Sequence, residues 1–92
     1  MPVTIISSAT TTQVKRGNGT LYGIVVVSTG TNFSLQVKDG PDANGNTVTL
    51  LGASAVTPTV VGSNLIPVPI PFVNGLQIVT TNTAGEFDVI WA

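Results

Sequence analysis

An all-β chain is predicted, a single small antiparallel β-sandwich or jelly roll of about eight strands, and three observations predict it. Val, Ile and Thr abound, and their stiff side chains fit a pleated surface. Apolar residues alternate with a period of about two and never sustain a helical period of about 3.6. Gly, Asn and Asp gather at intervals of about eight to twelve residues, the spacing of turns in β-sandwiches.

Each element follows from local chemistry. Residues 3–7 and 10–15 read as strands, and Gly17-Asn18-Gly19, tolerant of left-handed backbone, reverses the chain into a first hairpin. Residues 21–28 are apolar on both alternating faces, as in a central strand, so the second face is a candidate interface. After a turn over 28–31, Phe33, Leu35 and Val37 alternate with Asn32, Ser34, Gln36 and Lys38, the pattern of a half-exposed strand. Residues 39–46 are dense in turn formers, and Val48 and Leu50 resume the alternation. The stretch 52–64 is the least regular and reads as a surface arm carrying a short extended piece over 57–61. Pro67, Pro69 and Pro71 then remove every second amide donor, which only an edge strand or an extended contact segment tolerates. Asn74-Gly75 turns into a strand over 76–81, Ala84-Gly85 turns again, and Phe87, Val89 and Trp91 form the inward face of the last strand.

Length and composition bound the rest. One domain over residues 1–92 is expected, with 1–9 as an N-terminal arm, because half a chain would hold too little core to offset its conformational entropy. Such a domain buries only about 60 to 65 % of its unfolded surface. With no Cys and no His, disulfide and zinc staples are missing, which leaves oligomerisation as the common stabilising device. Charged residues make up 8 % of the chain, against about 25 % in an average soluble domain. A surface of Thr, Ser, Asn and Gly enters an interface without the cost of burying unpaired ions. Lys15, Arg16 and Lys38 are too few for a nucleic-acid footprint. No apolar run is long enough for a membrane span, and no secretory signal is visible after Met1, so a cytoplasmic origin is expected.

The residues argue against catalysis. No Ser or Thr has a His to activate it, and the glycines near residues 17–23 precede no helix that would bind phosphate. Glu86 and Asp88, two apart on the outer face of the last strand, read as charges that keep a terminal edge soluble rather than as a glycosidase pair. Asp39, Asp42 and the Asn44-Gly45 pair resemble a calcium loop only superficially. With Gly45 at the loop's glycine, Gly40 takes the first ligand position and Leu51 the place of the bidentate Glu. No cofactor and no metal are expected. Of the aromatics, Phe33 and Phe87 read as core, whereas Tyr22 and Trp91 remain candidates for stacking on a sugar.

Three stretches carry a resemblance: Leu21-Tyr22-Gly23-Ile24-Val25-Val26-Val27; residues 33–40, which end in Val37-Lys38-Asp39-Gly40; and residues 66–76, a proline-punctuated entry into Asn74-Gly75-Leu76. Over about residues 20–91 the chain resembles the small β-sandwich capsid decoration, or cement, proteins of tailed bacteriophages. The resemblance implies a virion structural protein on the capsid exterior, a homotrimer that clamps neighbouring subunits of the major capsid protein and works by avidity. In that reading Pro2, Val3, Thr4, Ile5 and Ile6, with Val56, Thr57, Pro58 and Val60, contact the capsid. Val25, Val27, Val68 and Ile70 pack between subunits. The alternative is a phage tail, neck or fibre module, or a glycan-binding surface sandwich.

Overall fold

The computed structural model describes residues 2–92, with Ala53 and Ser54 described by backbone alone. Its strands are β1 (Val3–Ile6), β2 (Thr11–Arg16), β3 (Gly19–Ser28), β4 (Thr31–Asp39), β5 (Val48–Val56), β6 (Ile70–Phe72), β7 (Gly75–Thr83) and β8 (Glu86–Trp91). They form two four-stranded antiparallel sheets, sheet A in the order β1-β8-β3-β6 and sheet B in the order β2-β7-β4-β5. β1 pairs with β8, β2 with β7, β3 with β6 and β4 with β5, as in one long hairpin folded at the β4–β5 loop. Rolling that hairpin until β8 meets β3 and β7 meets β4 gives the jelly-roll order.

The core lies between the sheets. Sheet A contributes Ile6, Leu21, Ile24, Val26, Phe72, Phe87 and Val89, and sheet B contributes Phe33, Leu35, Val37, Leu76 and Ile78, all buried. Phe33 of β4 stacks on Phe87 of β8, with ring centroids 4.6 Å apart and an interplanar angle of 8°, so one aromatic pair ties the two sheets together. The alternations in β4 and β8 therefore face inward as their sequence predicts. Ser34 departs from its expected exposure: it is buried, and its hydroxyl donates to the Asn32 carbonyl and lies 2.6 Å from Thr57 Oγ1.

Several local expectations are corrected by this wrapping. Gly17-Asn18-Gly19 does not close a hairpin, because β2 belongs to sheet B and β3 to sheet A. Of the seven connections, six cross between sheets, and only the β4–β5 loop joins neighbours within one sheet. The N-terminal segment is not an arm: β1 pairs with β8, Ile6 enters the core, and Thr4 Oγ1 accepts a 2.9 Å hydrogen bond from Trp91 Nε1. Met1 lies outside the described residues. The irregular stretch 52–64 is likewise held to the body. Its first part belongs to β5, and Pro58 is buried. Further on, Val26 N–H donates to the Ser63 carbonyl and Leu65 N–H to the Ile24 carbonyl, while Asn64 Oδ1 accepts from the N–H groups of Ile24 and Ile66. That segment so prolongs the β6 edge along β3, and β6 itself is the edge strand its prolines require.

Glycines and polar side chains hold the two ends. At one end the β3–β4 and β7–β8 crossings pack back to back: a Cβ on Gly30 would overlap the Thr83 carbonyl, and one on Gly85 would overlap the Ser28 carbonyl. At the other end Asp39 accepts hydrogen bonds from the N–H groups of Val73 and Asn74 at 2.9 and 2.8 Å. Beside it, Gln13 Nε2 donates to the carbonyls of Lys15 and Gly40 at 2.8 and 2.9 Å. Polar side chains thus satisfy backbone groups that the crossings take out of the ladders.

Gly85→Ala should cost at least about 2 kcal/mol in urea unfolding, because the added methyl meets backbone that cannot move aside. Gly45→Ala should cost only about 1 kcal/mol, since that residue has a φ of 81° but open space around it. Equal costs at the two positions would contradict the packed-crossing account.

Candidate association face

The outer faces of the two sheets differ in chemistry, and the register shows how. Residues paired across antiparallel strands point to the same side. In sheet A the inward rows are Thr4-Val89-Ile24 and Ile6-Phe87-Val26, so the rows that alternate with them face outward. These are Val3-Ile90-Gly23, then Ile5-Asp88-Val25, continued by the bridge from Val25 to Asn64, and at the far end the polar pair Glu86-Ser28. Val3 and Ile5 are 54 % and 63 % exposed. Val25 and Ile90 are half-buried, and Tyr22 stands exposed at the irregularity where β3 shifts register against β8.

Sheet B presents the opposite character. Its outward rows run Gln13-Gln77-Lys38-Thr49 and Thr11-Val79-Gln36. Gln77 donates to Gln13 across the first row, and Gln36 Nε2 donates to the Gly52 carbonyl. This is the solvated outer side expected of an antiparallel sheet, whereas the outer side of sheet A is largely aliphatic.

Two carboxylates of β8, Asp88 and Glu86, lie on the outward side of sheet A, and Asp88 falls within its aliphatic rows. Asp88 lies between Ile5 and Val25, and its Oδ1 is buried with no hydrogen-bond partner. The expectation that Glu86 and Asp88 guard an edge fails, because β8 is an inner strand flanked by β1 and β3. A carboxylate oxygen withdrawn from water without a donor is unfavourable by about 1–3 kcal/mol or more. Among the described residues it is the one buried side-chain oxygen or nitrogen without a hydrogen-bond partner.

The residues singled out in the sequence are distributed unevenly around this face. Val3, Ile5 and Val25 lie on it, and Val27 is exposed near the end of β3. Val60 and Val68 are exposed on the connection from β5 to β6. Pro2 and Thr57 are exposed, and Thr4 is half-buried on the inward side. Ile6 and Pro58 are buried within the chain, and Val56 and Ile70 pack against the core, so these four side chains are not free for a partner. Ile90 went unnoticed in the sequence, and Asp88 was placed on the outer side of the last strand but taken for an edge position. The signal was the alternation of residues 86, 88 and 90 opposite Phe87, Val89 and Trp91, which becomes meaningful only when β8 is known to be central.

The remaining candidate sites have ordinary partners. Asp42 Oδ1 accepts from the N–H groups of Asn44 and Asn46 at 2.9 and 3.0 Å, an Asx turn, while Asp39 is engaged by the β6–β7 crossing. Trp91 packs on the core, with Lys15 Nζ 5.9 Å from its ring centroid, and so offers no open platform with Tyr22. Among the described residues no pocket is formed, and no three His, Cys, Asp or Glu gather as a metal site.

Replacing Asp88 by Val should raise the stability of the dilute chain by about 1 kcal/mol, because it removes an unsatisfied buried acceptor and extends an aliphatic row. Chemical denaturation at nanomolar concentration measures this. A loss of stability would mean that the carboxylate has a partner within its own chain.

No protein-family model, no curated protein and no solved structure matches the chain.

Proposed function

We propose that this chain is a non-enzymatic structural protein of a virion, which decorates and stabilises a tailed-phage capsid by binding as a homotrimer across neighbouring major capsid subunits. The observation that carries the reading is the contrast between the two outer faces: sheet A turns Val3, Ile5, Val25 and Ile90 outward, while sheet B is lined by Gln, Thr and Lys. An aliphatic sheet face on a chain with 8 % charged residues is suited to being covered by protein. The resemblance of residues 20–91 to cement proteins supplies the class of partner. Val60, Val61 and Val68, exposed on the β5–β6 connection, supply further apolar contacts outside that face.

The mechanism requires no chemistry. Each subunit of a symmetric oligomer contributes weak contacts to adjacent capsid subunits, and linkage turns the later contacts into intramolecular events at about millimolar effective concentration. The shell gains because a ligand that binds only the assembled state stabilises it by mass action. Contact with the capsid falls to Val60 and its neighbours on the β5–β6 connection.

Cosedimentation of the purified protein with expanded, DNA-free heads of the phage that encodes it tests this reading. Saturable binding and a higher disruption temperature of the heads are expected, and Val60→Asp with Val61→Asp should lower occupancy by about tenfold or more. Absence of binding to the heads, or saturable sugar binding in its place, would overturn it.

A further inference from the structure

The edges of the two sheets are β1 and β6 in sheet A and β2 and β5 in sheet B. An edge presents unpaired N–H and C=O groups, and proteins blunt it with charge, proline or a break in the strand. β6 turns the missing amide of Pro71 to its open side, because the opposite residue, Thr20, exchanges its own backbone bonds with Ala92 beyond β8. β2 is bulged between Gln13 and Lys15 and ends in Lys15 and Arg16. β5 shifts register twice against β4 and holds Gly52 at a φ of 84°. β1 alone is unguarded: Val3-Thr4-Ile5-Ile6 pairs without a shift, carries no charge, and leaves Val3 and Ile5 exposed.

The direction of each backbone group on β1 follows from the far side of the sheet. Ile24 and Val26 of β3 bond the segment 62–65, so Gly23 and Val25 bond Ile90 and Asp88 of β8. The alternate residues Phe87, Val89 and Trp91 then face β1, and the Trp91 N–H donates to the Pro2 carbonyl. Pro2, Thr4 and Ile6 therefore turn their backbone groups to β8. The N–H and C=O of Val3 and Ile5 point to the open side, where no described residue bonds them. Pro2 does not guard that side, since its ring nitrogen faces β8.

We infer that β1 is a pairing strand for a second copy of itself, antiparallel about a twofold axis at Thr4, so that sheet A continues from one molecule into the next. The free groups are self-complementary in that register. Val3 lies opposite Ile5 of the second copy and Ile5 opposite its Val3, and each pair exchanges both N–H···O=C bonds, which leaves none of these groups open. Thr4 meets its own mate, a favoured cross-strand pair. The outward side chains agree: Val3 and Ile5, each more than half exposed in the single chain, fall side by side, and the rows through Ile90-Val3 and Asp88-Ile5 run on into the second copy. Asp88 does not oppose the contact, because the strand order β8-β1-β1-β8 keeps the two carboxylates about 14 Å or more apart. The contact is twofold and so separate from the threefold one of the proposed trimer. It links a copy of one trimer to a copy of another, and it holds whether or not a capsid is the target.

Amide hydrogen exchange and sedimentation of the full chain over a dilution series from millimolar to micromolar test the inference. The Val3 and Ile5 amides should be protected in the concentrated sample and exchange about tenfold faster or more on dilution, while Thr4 and Ile6, bonded to β8, stay unchanged. Ile5→Lys should keep a folded circular dichroism spectrum and weaken association by about tenfold or more. In a chain without native Cys, Thr4→Cys should cross-link to a dimer under oxidised glutathione, its mate lying directly opposite at about 4.5 Å between Cα atoms. Ile5→Cys should not, because its mate lies diagonally at about 7–8 Å. Val3 and Ile5 amides that exchange alike at every concentration, or an association indifferent to Ile5→Lys, would overturn the inference. Protection that appears only when heads are added would also overturn it, by giving the edge to a strand of the capsid protein. Pairing in a chain that ignores heads upholds it and removes the capsid reading alone.

Discussion

Everything in this fold depends on the crossing of the chain between its two sheets. Because six of the seven connections change sheet, only β4 and β5 pair with a neighbour in sequence, and every other ladder joins strands distant along the chain. Apart from β4–β5, no ladder can therefore form as a local hairpin. β1 is held by β8, at the other end of the sequence, and β2 by β7. The inter-sheet core, with Phe33 stacked on Phe87 at its centre, must form for any of these pairings to persist. Such non-local pairing requires loop-closure entropy before contacts repay it, so slow folding is the general expectation for this topology.

The same wrapping decides which residues are available for function. It carries β8 to the centre of sheet A, which turns the pair Glu86 and Asp88 from edge guards into residues of a broad outward face. It also draws in segments that would otherwise be free: Ile6 and Ile66 enter the core, and the stretch after β5 runs along β3 with Asn64 capping two amides. What remains outside is divided by chemistry, amides and hydroxyls on sheet B and aliphatic side chains on sheet A. The described residues form no pocket, and the distinguishing property of the surface is this asymmetry.

The strands were legible in the sequence where alternation and turn chemistry agreed. Phe33, Leu35 and Val37 face inward as their spacing demands, the prolines at 67, 69 and 71 fall on or beside the edge strand β6, and Phe87, Val89 and Trp91 turn toward the core. Partners were not legible. Gly17-Asn18-Gly19 has the composition of a hairpin turn, and the same left-handed freedom serves a crossing between sheets, with Gly17 at a φ of 81°. Composition reports that the backbone reverses, not which strand lies beside it. The candidate face was legible only in fragments for the same reason: Val25 and Ile5 were visible as apolar positions, but their alignment through Asp88 is a matter of register. Ile70 was misplaced because its exposure depends on which side of the edge strand meets Phe72 and Leu21.

The central claim is that the outer face of sheet A is the surface by which the molecule associates. Methyl-labelled nuclear magnetic resonance over a concentration series reads that face residue by residue. The account predicts that the methyl signals of Val3, Ile5, Val25 and Ile90 move as the chain is concentrated, while those of Val79 and Val48 on sheet B stay in place. Movement confined to the sheet B methyls, with Ile5 and Ile90 unchanged, would contradict it.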